Sequence, residues 1–341
     1  MRSKFSAKYG RRMRVLLWLL VGLLIVPVLV AAQQTTGNVR GTVKDDTGAV
    51  IPKAKVDILD KATNNRWTAQ SGAAGDFEFK DLPVGNYQVS ISATGFKTVT
   101  LSDVAVQLNQ TTDLAPTLPL GAITETVNVS AGGSELVDTS TSTLAKGFDA
   151  RQVADLPQSS QNTVVSGISG VYNLALLAPN VESSGGAGIG VGGSVGGQRT
   201  RNNDFVLDGV DDNRKDVTGP LVYVSTEAVA QFSLLSNYYP AEFAHSTGGQ
   251  FIAVTKSGSN LFHGSAFGFF SNKHFNALDT LLKDNGTTRA TYPRFDEGRF
   301  GGDLGGPIIK DKLFFFGLFE RSQNGQATGA GGILAPTAAG F

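Results

Sequence analysis

The chain of 341 residues contains no cysteine, three histidines, two methionines and two tryptophans. Without cysteine there is no disulfide and no thiolate metal centre, so an exported protein of this sequence must be held by burial and strand pairing. The histidines His245, His263 and His274 all lie in the last third of the chain. They lack metal-ligand spacing, no His-x-x-Glu occurs, and three such scattered rings support no Ser/His/Asp arrangement. Charge of one sign is not in excess either, with 29 basic and 29 acidic residues. Long apolar runs are also scarce, and the single example, Val15 to Val30, stands at the N-terminus.

What the sequence has is glycine, 42 residues of it, and an apolar share of 41% distributed in short runs between Ser, Thr and Asn. That composition predicts a mainly β chain of short strands and glycine turns. The N-terminus reads separately. Arg2, Lys4, Lys8, Arg11, Arg12 and Arg14 precede the apolar run, and Val30-Ala31-Ala32 offers small residues before Gln33. This is the order of a secretory signal peptide over residues 1–32, cleaved between Ala32 and Gln33. The alternative is a transmembrane anchor, for which about 16 apolar residues fall short of the ~20 that span a bilayer. Removing the six leader cations from 29 leaves 23 bases against 29 acids. A mature chain so acidic is not expected to bind nucleic acid.

Residues 33–120 alternate apolar with polar positions in "NVRGTVKD", "AKVDILD", "DFEFKDL", "NYQVSISA" and "FKTVTLS", separated by turn stretches such as "DDTGAVIP" and "SGAAG". Several short strands at close spacing predict two packed antiparallel sheets, with Phe77, Phe79, Tyr87, Val89, Ile91 and Ala93 in the core. The runs "GTVKDDTGAVIPKAKVDI" and "GDFEFKDLPVGNYQVSISATGF" resemble the carboxypeptidase regulatory-like domain, which implies a transthyretin/Ig-like β-sandwich. No hydrolysis follows from that name, because zinc ligands are missing and no histidine precedes residue 245. No cofactor is expected.

Residues 121–146 shift to Gly, Ser and Thr and read as a linker with a stray strand. Within it, Thr124, Glu125, Thr126, Val127, Asn128, Val129, Ser130 and Ala131 form "TETVNVSA", which resembles the TonB box of TonB-dependent outer-membrane receptors. The resemblance implies a segment that adds as a strand to a TonB-type energy-transducing protein in the periplasm, held mostly by main-chain hydrogen bonds.

Residues 147–256 resemble the α+β plug domain of those receptors in "LPQSSQNTVVSGISGVYNLALLAPNV", "GGQRTRNNDFVLDGVDDN" and "LVYVSTEAVAQFSLLSNYYPAEFAHSTGGQFIAVTKSGSN". Where "QSSQN" stands, relatives usually show a "GRN"-like element. Asp208-Gly209 is expected to form a plug turn, with Asp bonding through its side chain and Gly left-handed. Gly188-Ile-Gly-Val-Gly-Gly193 fits G-x-G-x-x-G but follows no strand and opens no helix, so it reads as a loop and not a nucleotide site. Asp204, Asp208, Asp211, Asp212 and Asp216 are dense, yet their spacing does not match a calcium loop and Arg214 and Lys215 intervene. The expectation is a solvated turn.

From residue 257 to 341 the alternating segments "LFHGSAFGFFSN", "RFGGDLGGPI" and "KLFFFGLFERSQ" carry aromatics near their ends. Periodicity alone leaves a soluble sandwich and a transmembrane β-barrel both open. Resemblance decides: "YYPAEFAHSTGGQFIAVTKSGSNLFHGSAFGFFSNKHFNA" and "RFGGDLGGPIIKDKLFFFGLFE" are similar to the plug-to-barrel junction and first barrel hairpins of Oar-like receptors. The family's barrel has about 22 strands, and the residues after Asn260 suffice for three or four, so the chain reads as an N-terminal fragment or truncated product. The resemblance implies a non-enzymatic receptor in the outer membrane, in contact with its lipid, with its N-terminal domain in the periplasm. It would take up a solute of oligosaccharide or siderophore class. A secreted or surface-bound β-sandwich binding module without transport is the alternative.

Overall fold

In a computed structural model the chain divides into Met1–Gln33 and Gln34–Phe341. The structure describes residues 35–121, 126–130, 143–156, 171–182, 193–214 and, with short interruptions, 219–326. The signal-peptide reading, with Ala32 and Gln33, lies outside the described residues.

The first module contains β1 (Thr36–Thr42), β2 (Lys44–Asp45), β3 (Lys55–Asp60), β4 (Arg66–Gln70), β5 (Asp76–Pro83), β6 (Gly85–Ser92), β7 (Thr98–Val106), β8 (Thr111–Leu114) and β9 (Thr117–Leu118). One sheet has the order β5-β1-β8. The facing sheet runs β4-β3-β6-β7 and carries β10 (Thr126–Ser130) on its outer side. Alternation accounts for the core. Phe77 and Phe79 of β5 and Tyr87, Val89 and Ile91 of β6 are buried, together with Val39, Val56, Ile58 and Val99. Each such side chain contributes about 1.5–3 kcal/mol by leaving water. The one polar group brought in with them is satisfied: the Tyr87 hydroxyl donates to the Pro83 carbonyl at 2.7 Å, and Trp67 packs edge-on against the ring at 6.0 Å. β4 and β8 are absent from the alternating runs of the sequence. β4 is an edge strand whose apolar residues Trp67 and Ala69 are only half buried.

The second module begins with β11 (Leu144–Asp149) and the helix Ala150–Asp155. Asp149 caps that helix: its carboxylate accepts from the Gln152 N–H at 2.8 Å, and its own N–H donates to the Gln152 side chain at 3.1 Å. Such a reciprocal pair satisfies two donors that a helix start leaves open. A 3-10 turn, Val171–Leu177, and the short pair β12 (Val181–Glu182) and β13 (Ser194–Val195) follow. Then come β14 (Asp204–Leu207), β15 (Val210–Asp211), β16 (Val229–Asn237) and β17 (Gln250–Thr255). The mixed sheet has the order β11-β16-β17-β14-β15, with β14 and β17 parallel. One face buries an aromatic cluster in which Tyr172 stands edge-on to Phe205 at 5.1 Å and Phe205 lies 5.0 Å from Phe251. On the other face Leu108, from the loop after β7, is buried with Val206, Leu235, Phe243 and Ile252.

The third module is an antiparallel meander of β18 (His263–Asn272), β19 (Phe295–Ile309) and β20 (Leu313–Gln326). At 10, 15 and 14 residues these strands meet the ~9–11 that a tilted membrane strand needs. Their register separates two faces. Ala266, Phe270, Phe300, Leu304, Ile308 and Phe319 share one, and Phe270 and Phe319 are 75% and 69% exposed. Ser265, Asp303, Arg299 and Glu320 lie on the other, together with Phe267, Phe269, Phe314, Phe316 and Leu318, which are less exposed for the most part. The exposed apolar residues Phe270, Phe300, Leu304 and Phe319 fit the lipid side of a barrel strand. No described helix is long and apolar enough to cross a membrane, which says nothing of a β-barrel.

Candidate functional site

Asp208 and Gly209 form the two-residue turn between β14 and β15, with φ of 49° and 80°. Positive φ at both positions is what a type I′ hairpin turn requires, and Gly carries it without strain. The Asp208 side chain does not close its own turn. Its two oxygens accept from the Thr255 N–H and hydroxyl, each at 2.8 Å, so it ties the hairpin to the last residue of β17.

The neighbouring acids require a correction, since the sequence reading placed them in a solvated turn. Asp204 and Asp212 are each only 4% exposed. Asp204 lies at the start of β14 and accepts from the Asn213 amide, while Asp212 accepts from the Val222 N–H at 2.9 Å. Burial pushes the Asp212 carboxyl above its ordinary value, the neighbouring Asp211 charge adds to that, and the Val222 and Leu221 N–H groups and the Tyr172 hydroxyl oppose it. Asp208 and Asp211 face solvent more, and Asp216 lies outside the described residues. A turn read from five acids in line misses that Asp204 is buried at the start of β14 and that Asp212 bonds to the loop Gly219–Val222. Among the described residues no group of three or more histidines and acids could hold a metal. His263 is exposed and bonds locally to the Leu261 carbonyl at 3.0 Å. Of the glycine-rich G-x-G-x-x-G stretch only Gly193 is described.

The candidate TonB box is partly described. Thr124, Glu125 and Ala131 lie outside the described residues, whereas Thr126–Ser130 form β10, parallel to β7, with Asn128 opposite Thr100 and Ser130 opposite Ser102.

A contact between the second and third modules was not foreseen from the sequence. The Ser225 hydroxyl donates to Glu320 of β20, and Arg299 of β19 donates to the Thr226 hydroxyl at 3.3 Å. Arg299 and Glu320 also approach each other at 3.9 Å, both side chains largely buried, and the guanidinium lies 4.7 Å from the Phe269 ring. The signal was available in the period-2 pattern of β19 and β20, which puts Arg299 and Glu320 on one face, away from Phe300 and Phe319. A glycine permits the close approach at the junction. A Cβ on Gly258 would lie 2.3 Å from the Phe315 carbonyl oxygen. Nearby, the Asn260 and Asn64 amides both donate to Asp311 at 2.8 Å, and the Asn260 N–H donates to the Ala62 carbonyl at 2.9 Å. The β3–β4 turn thus meets the short turn between β19 and β20.

The geometry agrees with comparisons against known proteins. Residues 38–119 match the carboxypeptidase regulatory-like domain, and residues 254–340 match an outer membrane β-barrel domain. The chain is thus similar, over these two stretches, to outer-membrane β-barrel proteins and to carriers of such an N-terminal domain. It is also 28% identical over 297 residues to the TonB-dependent transporter Oar of Myxococcus xanthus, a match covering 86% of this chain and 27% of that protein. The chain thus spans about a quarter of the length of the curated relative it matches. Among solved structures, the Bacillus anthracis TIE protein is 16% identical with a TM-score of 0.22, over 25% of this chain and 17% of that one. Hydroxyquinol 1,2-dioxygenase of Pseudomonas putida DLL-E4 is 12% identical with a TM-score of 0.22, over 27% and 58%. Likenesses this partial carry no argument for a reaction.

Proposed function

We propose that the chain is the N-terminal part of a TonB-dependent transporter of the outer membrane, a carrier and not an enzyme. The observation that carries this reading is the third module, whose strands are long enough to span the bilayer and present an apolar face outward while the opposite face bonds to the second module through Ser225–Glu320 and Thr226–Arg299. In this reading residues 147–256 are the plug and 257–341 the start of the wall around it. Residues 33–120 are the sandwich, and the box lies at Thr124–Ala131 in the linker 121–146. The sandwich meets the barrel sheet at the three-residue turn Lys310–Lys312, not at the longer β18–β19 connection. Short turns face the periplasm in such barrels, which supports a periplasmic N-terminal domain. A TonB-type protein would pull the box, and the plug, tied to the wall by few polar contacts, would yield a path for an oligosaccharide or siderophore.

Deleting Thr124–Ala131 from the full-length gene tests this. Uptake of a ferric siderophore or a labelled oligosaccharide is expected to fall to background with the protein still in outer membranes. Unchanged uptake would sink the mechanism, and recovery of the wild type in the culture supernatant would favour a secreted binding module instead.

A further inference from the structure

The segment Thr126–Ser130 is already a strand here, in unbroken parallel register with Thr98–Ser102. The domain match ends at residue 119, so the sandwich is complete without it and β10 is a fifth strand added to the finished edge of a four-stranded sheet. Every other pairing in that sheet is antiparallel. β10 is the terminal strand, and its side away from β7 carries no strand among the described residues. Such a side is a row of main-chain donors and acceptors able to pair with one more strand.

We infer that the sandwich is a presenting platform. β7 holds the box extended, and the outer edge of β10 is the docking surface for a single strand of the TonB-type protein's periplasmic domain. This rests on the box reading above. The physical advantage is entropic. A free linker must lose its backbone freedom when it joins a partner's sheet, whereas a segment already ordered on β7 has lost it beforehand, so less of the interaction energy is consumed. The partner's strand would extend the sheet from five strands to six, with β10 bonded on both sides. β10 need not leave β7 for this first encounter.

The cysteine-free chain allows a direct test. Ser102→Cys with Ser130→Cys places two near-isosteric thiols at partnered positions, and neighbouring strands bring Cα atoms within the range a disulfide spans. The pair is made in the full chain, and binding of the purified periplasmic domain of the same organism's TonB-type protein is measured before and after reduction. The expected result is ready crosslinking, absent in a Ser102→Cys, Asn128→Cys control two positions out of register, with the oxidised form binding as tightly as the reduced form or up to about tenfold tighter. Failure to crosslink would overturn the docking of β10 on β7. Crosslinking with binding weakened tenfold or more, restored by reduction, would show that the box must leave β7 and would overturn the platform while keeping the box. No binding in either state, with the crosslink formed, would overturn both.

Discussion

Phe79 and Phe319 sit in strands of the same alternating kind, yet one is 6% exposed and the other 69%. In the sandwich the apolar face meets a second sheet and the polar face meets water. In β18–β20 the face of Phe270 and Phe319 stays exposed among the described residues, and the opposite face turns Arg299 and Glu320 toward Thr226 and Ser225 of the second module. Alternation therefore specifies a strand with two unlike faces, and what covers the apolar one decides whether the solvent is water or lipid.

The comparison is tested most severely at its two phenylalanines. Phe79→Ala in the segment Gln33–Leu120 expressed alone should cost about 3–5 kcal/mol, through lost burial plus a cavity. Urea unfolding reads this as a large fall in midpoint, and an unchanged midpoint would mean that the β5 register is wrong. Phe319→Arg in the full-length protein should cost about 2–4 kcal/mol if that face meets lipid near the bilayer centre. Refolding into phospholipid vesicles against denaturant measures it. A water-facing position would show almost nothing.

Next in size is the contact between the second and third modules. Glu320→Ala leaves Arg299 without its carboxylate and Ser225 without its acceptor, at about 1.5–3 kcal/mol for charged hydrogen bonds in a largely buried setting. Faster amide exchange confined to Ser225–Ala228 and the facing strands would show it. Uniform exchange would place the contact elsewhere.

Two acids should respond to pH in opposite senses. Folding raises the Asp212 carboxyl above the ordinary aspartate range, so the folded state holds the proton more tightly than the unfolded one. Stability then improves as pH falls through that raised value, and Asp212→Asn should equal or exceed the wild type at pH 7 by up to about 1 kcal/mol, losing the advantage in acid. Burial also raises Asp57, but the Lys55 ammonium and the Thr68 hydroxyl outweigh it and hold the carboxyl below 3.8. Its contribution is present above 3.8 and lost as pH falls through the lowered value, so Asp57→Asn should weaken the sandwich at neutral pH by at most about 1 kcal/mol. Denaturant midpoints across pH 3 to about 7 separate the two. The smallest effect belongs to Glu78→Ala, on the solvent face between Phe77 and Phe79. It loses only an exposed pairing with Lys80 and should fall within about 0.5 kcal/mol.

Legibility in the sequence followed the same contrast. Phe77, Phe79, Tyr87, Val89 and Ile91 could be assigned because each strand has one dry face, and period 2 marks it without knowledge of partners. β4 was not visible because Arg66–Gln70 is an edge with two half-buried apolar residues, too little contrast to register. The barrel strands were visible as strands but not as membrane strands, since what lies outside Phe300 and Phe319 is not written in either. Ser225 and Glu320 are 95 residues apart, while the Asp212–Val222 bond closes a span of ten; period 2 marks the face of Glu320 but neither bonding partner. Of the candidate box, the extended tendency of Thr126–Ser130 could be read, but its pairing with β7 could not.

Leu108 is buried among Val206, Leu235, Phe243 and Ile252, and its N–H donates to the Gln231 side chain at 2.9 Å. Gln231 is also the partner of Asp149 at the far end of β11, whose first pair is Leu144 with Asn237. β11 is the edge strand of its sheet and the one that the chain enters from the box. A tension drawn on the linker would open that seam like a zipper, one rung at a time from Leu144 toward Asp149. The last rung shares its residue with the rivet that fastens the sandwich to the second module, so the two fastenings would yield as one mechanical event, late in the pull.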